Sequence, residues 1–290
     1  MHERALSIAR VAAAILTCAV TMATAQAAPI TFSASGANPA GIQGQVDAYR
    51  ADLGTLNANV AGSFGSGRRE INWDGVPDAL AAPNILPADF FNVNSPRGVV
   101  FSTAGSGFQV SANAVNPSSA PVRFGNFNPT YPNEFQTFSP QRLFTALGSN
   151  VLDVNFFVPG STTAALTNGF GSVFTDVDLA NTTSLTFFDG ANASLGTFFV
   201  PAGTTADASL SFLGVDFGSA VVSRVRITNG NGALGPTEGG GLDLVVMDDF
   251  LYGEPVAATA NMPEPGTLAL LATGMLGLGL VGSRRRSASS

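Results

Sequence analysis

From Gly98 to Tyr252, short apolar runs alternate with polar positions at a period of two, the pattern of half-buried β-strands. The runs that read as strands are Gly98–Thr103, Phe108–Ala112, Val122–Phe124, Val151–Val158 and Ser172–Leu179, followed by Ser184–Phe188, Leu195–Val200, Leu210–Phe217, Val221–Thr228 and Leu242–Tyr252. Val221–Thr228 is the cleanest, with Val225 and Ile227 on one face and Arg224 and Arg226 on the other. Thr183–Val200 reads as a hairpin whose turn starts at Asp189-Gly190. Phe156-Phe157-Val158-Pro159 and Phe198-Phe199-Val200-Pro201 read as strand ends halted by proline.

One stretch has helical spacing instead. Val46, Tyr49, Leu53, Leu56 and Val60 recur at three and four residues and predict a short amphipathic helix over Gly44–Asn59. With strands starting about ten residues apart, the fold expected is mainly β, an antiparallel β-sandwich or jelly roll with one short N-terminal helix.

The two ends of the chain follow other patterns. Met1–Ala27 has Arg4 and Arg10, an apolar region from Val11 to Val20, and Ala25-Gln26-Ala27, an A-x-A cleavage pattern. This reads as a secretory signal peptide. Cys18 offers a lipoprotein-type alternative, but Thr17 before it is larger than that processing prefers. At the other end, Pro263-Glu264-Pro265 precedes an uncharged run from Gly266 to Ser283 and then Arg284-Arg285-Arg286. As a helix, that run is roughly 27 Å long, against a bilayer core of about 30 Å. The chain is therefore expected to hold a transmembrane helix there, with the arginines on the cytoplasmic side and the preceding chain outside. Two prolines fix an extended segment just outside the membrane. Between the ends lies an ectodomain, 28–255, with 126–141 as the candidate break between two lobes, and a linker, 256–262.

Losing the N-terminal segment changes the chemistry open to the rest. The only Cys, Cys18, and the only His, His2, lie inside it. Disulfides, Ser-His-Asp or Cys-His catalysis and His/Cys zinc sites are then excluded within the chain. All thirteen basic residues are Arg, so lysine chemistry is absent too. Eighteen of the twenty acids, but only eight arginines, lie between the terminal segments, giving that part a net charge near −10. Nucleic acid is not expected as a partner of such a surface.

Pro263-Glu264-Pro265, the short apolar run and the terminal arginine cluster resemble the PEP-CTERM sorting signal. The resemblance implies an exported protein of a Gram-negative bacterium that makes exopolysaccharide. It also implies an exosortase as partner, with transient inner-membrane anchoring before processing. Residues 126–252 resemble, more loosely, the jelly-roll domains often joined to this signal. Gly169-Phe170-Gly171, Phe174-Thr175-Asp176-Val177-Asp178 and Asp248-Asp249-Phe250-Leu251-Tyr252 carry that likeness. It implies a β-sandwich with carbohydrate or calcium association in some members, and no catalytic residue.

Three groups of residues hold candidate chemistry. Asp176 and Asp178 share a strand face, about 6.5–7 Å apart. Together with Asp248 and Asp249 they would offer oxygen ligands to a structural Ca²⁺, the one cofactor the sequence suggests; solvated strand ends are the plain alternative. A glycosidase pair of carboxylates is the catalytic alternative. Arg68–Gly75 holds the only Trp amid polar groups, so Arg69, Trp73 and Asp74 are candidate sugar contacts, against a packed Trp beside turn charges. The twenty-two phenylalanines, lacking polar handles, read as sheet core. The function expected is that of a non-catalytic component of the cell surface or extracellular matrix, with exopolysaccharide as the candidate ligand. A carboxylate-dependent polysaccharide-acting enzyme and a structural coat protein are the alternatives.

Overall fold

The computed structural model describes residues 28–258, Ala206 and Glu238 excepted. The described strands are β1 (Ile30–Gly36), β2 (Arg68–Ile71), β3 (Val99–Thr103), β4 (Gly107–Val110), β5 (Phe144–Leu147), β6 (Val151–Phe156) and β7 (Ala165–Leu166). They continue with β8 (Gly169–Thr175), β9 (Ser184–Phe188), β10 (Ser194–Phe199), β11 (Leu210–Asp216), β12 (Arg224–Thr228), β13 (Val246–Gly253) and β14 (Val256–Ala257). One longer helix, α1 (Pro39–Leu53), two single turns, α2 (Phe90–Val93) and α3 (Tyr131–Glu134), and a 3-10 turn at Asp78–Leu80 complete the described set.

All strand pairs are antiparallel. One sheet runs β1-β11-β8-β13-β5-β4, with β2 also on β13; the other runs β10-β9-β12-β6-β3. The quartets β5-β13-β8-β11 and β6-β12-β9-β10 give the strand order of a jelly roll. The chain crosses between sheets at every step from β5 to β13 except the β9–β10 hairpin and the short β7. Apolar side chains of both sheets meet in one core, including Phe101, Val154, Leu185 and Val225 from one and Phe144, Phe170, Val215 and Phe250 from the other.

The outer face of the larger sheet is covered as well. Ile42, Val46, Tyr49 and Leu53 of α1 pack on Val173, Leu210, Phe212 and Leu251. Phe124, Tyr131 and Phe135 pack with Leu143, Leu244 and Val246. Strands β8, β11 and β13 are therefore buried at all their residues, whereas β6 and β12 alternate because their outer face is wet.

Pro39 at the first helical position opens α1. Gly54, at φ 93°, closes it. The helix therefore starts and stops earlier than the predicted Gly44–Asn59, and Leu56 and Val60 are exposed. Tyr49 seats the helix because Gly171 and Gly214 leave room for its ring. A Cβ at Gly214 would lie 2.8 Å from the ring, and one at Gly171 2.9 Å. The Tyr49 hydroxyl donates to the Val215 carbonyl at 3.1 Å.

Several other expectations shift. Val122–Phe124 makes one isolated bridge, Ala112↔Val122, and is no strand. β1, β2, β5 and β7 form strands where the alternation predicts none. The chain before and after 126–141 pairs within one sheet, as β4 with β5. Val256–Ala257, placed in a linker by sequence, pairs with β7. No helix among the described residues is long and apolar enough to cross a membrane. The expected signal peptide and the expected transmembrane helix lie outside the described residues.

Candidate functional site: a polar groove between α1, β2 and β13

The groove is built around an irregularity in β13. The register with β8 shifts between Met247 and Phe250, leaving Asp248-Asp249 as a bulge. Bulges re-aim side chains, and here they turn two carboxyls toward the outer face. The Trp73 indole Nε1–H pins the bulge by donating to the Asp248 carbonyl at 2.8 Å. Asp248 Oδ2 accepts the Phe138 N–H at 2.6 Å. The Ser139 hydroxyl lies 2.6 Å from Asp249 Oδ1 and 3.2 Å from Asp248 Oδ1. Burial, then the charge of Asp249, pushes the Asp248 carboxyl well above the usual carboxylate range. Asp249 is raised as well, chiefly by burial, with Ser139, Asp248 and Arg50 opposing. Two carboxyls this close and this buried disfavour being ionised together.

Above the pair opens a groove of about 410 Å³. Gln43 and Arg50 come from α1, Asn57 and Asn59 from the following loop, Glu70 and Asn72 from β2 and its end, and Arg97 from the approach to β3. Glu70 is the hub of the charges. Arg50 grips it with Nε at 3.1 Å and Nη2 at 2.9 Å, and Arg68 Nε reaches it at 2.6 Å. Arg50 Nη2 also stands 3.6 Å from Asp249 Oδ2.

Strand alternation decides which residues of Arg68–Gly75 face this groove. Arg69, Ile71 and Trp73 point inward and are buried; Glu70 and Asn72 point outward. The expectation that Arg69 and Trp73 touch a sugar is corrected on that ground. Trp73 is 1% exposed, stacked on Phe144 at 4.0 Å and edge-on to Phe91 and Phe250. Arg69, fully buried, forms a two-pronged ion pair with Glu254 at 2.6 and 2.9 Å. Its remaining N–H groups hold the carbonyls of Ala58, Gly62 and Pro96. Asp74 is partly buried, accepts the Arg142 N–H at 3.2 Å, and has its pKa raised mainly by burial.

The four aspartates weighed for calcium do not form one ligand set. Among the described residues, no group of three or more His, Cys, Asp or Glu is placed to hold a metal ion. Asp176 is buried at the end of β8 with φ 69°, its N–H on the Ser209 carbonyl. Asp178 sits among Asp243, Asp207 and Glu134, its N–H on Asp243 Oδ1 at 3.0 Å. Local desolvation first, then those three carboxylates, pushes Asp178 up to about 6.

Arg50 and Arg97 escape the sequence reading, and Glu70 and Asn72 lie within its Arg68–Gly75 stretch without being singled out. For Glu70 and Asn72 a signal existed: Ile71 and Trp73 two apart mark the inward face and leave their neighbours outside. Nothing local marks Arg50 or Arg97, which only the fold brings here. The sorting-motif residues Pro263, Glu264, Pro265, Arg284, Arg285 and Arg286 lie outside the described residues.

No curated protein and no solved structure matches the chain. Residues 263–286 match the family described as the PEP-CTERM protein-sorting motif. That motif implies processing by an exosortase and export to the cell envelope or surface. This C-terminal motif supports a PEP-CTERM domain-containing exosortase substrate.

Proposed function

We propose that the exported protein is a non-catalytic component of the cell surface or extracellular matrix that holds polysaccharide in the groove between α1, β2 and β13. The observation that carries this reading is the groove's lining. Four amide side chains, Gln43, Asn57, Asn59 and Asn72, stand beside fixed charges, an array suited to the hydroxyls of sugar rings. The carboxylates at its floor are engaged by Arg50, Arg68 and Ser139, which favours holding over chemistry.

Glycan binding by the exported protein tests the reading. Asn59→Ala with Asn72→Ala should abolish binding while the melting curve stays put, since both residues are exposed. A failure to bind any saccharide would leave a structural coat protein. Hydrolysis of the host's exopolysaccharide would establish the enzyme instead.

Sorting has its own readout. The reading includes a secretory signal peptide and a membrane helix that is transient, so the exported form should end near Pro263–Pro265 by mass spectrometry. Recovery of a surface protein still ending at Ser290 would leave a plain anchor.

A further inference from the structure

We infer that the groove is selective for an acidic polysaccharide, with Arg97 as the seat of a sugar carboxylate. The inference rests on the groove reading above and narrows it to one substrate class.

Arg97 differs from the other cations around the groove. Arg50 and Arg68 are taken by Glu70, and Arg69 by Glu254. Arg97 has no ion pair among the described residues. Its Nε donates to the Glu70 carbonyl at 2.9 Å, and Nη1 meets the Ser95 hydroxyl. Nη2 meets no protein acceptor among the described residues, which leaves one arm of the fork for a ligand.

The side chain is also held in place before any ligand arrives. Its guanidinium lies over the Phe91 ring, 5.2 Å from the centroid. Its backbone is fixed at both ends: its N–H donates to the Phe91 carbonyl at 2.8 Å, and its carbonyl accepts the Tyr252 hydroxyl at 3.0 Å. Arg97 and Asn72 line both the groove and an adjoining pocket of about 190 Å³. A ring lying in the groove can therefore direct a substituent past Arg97 into that pocket.

The charge balance points the same way. Burial lowers the pKa of Arg97; Tyr252 opposes this and Arg69 adds to it, and no carboxylate pairs with the charge among the described residues. A ligand carboxylate would offset it with charge-assisted hydrogen bonds. The groove's own carboxylates do not stand against this. Glu70 is gripped by two arginines, and Asp249 is held by the Ser139 hydroxyl and stands beside Arg50. In a chain of formal net charge −7, an unpaired arginine at a groove is a local exception to the repulsion an acidic polymer would meet elsewhere.

The test compares three probes on the exported protein: a short oligogalacturonate, its carboxyl-reduced counterpart, and a sulfated oligosaccharide of the same length. The oligogalacturonate should bind about ten- to a hundredfold tighter than the reduced form. That preference should shrink as salt is raised. Arg97→Gln should erase the preference, Arg97→Lys should restore part of it, and Arg123→Gln, away from the groove, should leave it intact. Melting curves of each variant show that the fold persists; if Arg97→Gln fails to fold, the Lys variant and the salt series decide. Equal binding of acidic and reduced forms would overturn the inference and leave the groove reading standing. Binding of neither would overturn both. Equal binding of the sulfated probe would overturn the carboxylate assignment in favour of charge alone.

Discussion

Arg69 and Arg97 stand close enough for each charge to act on the other, yet their surroundings are opposite. Arg69 is closed in: every arm has a protein acceptor, its carboxylate partner is equally buried, and the contacts knit the loop between α1 and β2 to β13. Arg97 is held just as firmly but one arm is left over, at a groove. The difference separates structural from functional polarity. Buried charges that satisfy one another fix a conformation. A fixed charge with an unused donor can still pair with an acceptor from outside the chain.

The sharpest way to break the closed side is Trp73→Ala. It removes a fully packed ring and leaves the Asp248 carbonyl without its donor, so a loss of about 3–5 kcal/mol is expected. Chemical denaturation would measure it, and the same variant should loosen the bulge that aims Asp249. Glu254→Gln should follow closely, because it leaves the Arg69 charge buried and unpaired, at a cost of about 3–5 kcal/mol. In a domain of this size that corresponds to a fall in Tm on the order of 10 °C.

Acidity offers a graded test between the two sides. Asp178, Asp248 and Asp249 have folded-state pKa values raised above their ordinary range. The fold therefore binds protons more readily than the unfolded chain. Their contribution is fully present below the ordinary carboxylate pKa and is lost as pH rises through the folded value. For Asp178 that loss is complete above about 6. Stability from these groups should decline from pH 4 to 7, and Asp178→Asn should flatten the lower part of that slope. On the open side the effects on stability shrink. Arg97→Gln removes hydrogen bonds to the Glu70 carbonyl and the Ser95 hydroxyl and the contact with the Phe91 ring, and should cost about 2 kcal/mol. Asn72→Ala should stay within about 0.5 kcal/mol. A large loss from either would blur the line between the two regions.

How much of this was legible in the sequence follows the same division. The sheet with one wet face shows its pattern openly: Arg224, Val225, Arg226 and Ile227 alternate as a half-buried strand must. The sheet covered on both faces does not alternate, and β8 and β11 carry glycines where Tyr49 needs room. Apolar content marks both and bounds β11 to within one residue, at Leu210–Asp216, but it misplaces β8, which runs Gly169–Thr175 rather than Ser172–Leu179. The aspartates, Arg69, Trp73 and Asp74 were visible as unusual residues. Their roles were not, because burial depends on which sheet face each meets. Trp73 serves the groove from beneath by holding the Asp248 carbonyl. Arg50, Glu70 and Arg97 come from three separate elements, and no local spacing joins them.

Arginine-selective labelling with phenylglyoxal, mapped by mass spectrometry, tests the contrast most directly. In the native protein Arg97 should be labelled and Arg69 spared until the fold opens, and an oligogalacturonate should shield Arg97 while leaving the exposed Arg226 reactive. Labelling of Arg69 in the native state, or no shielding of Arg97 by a saturating oligogalacturonate, would contradict the account.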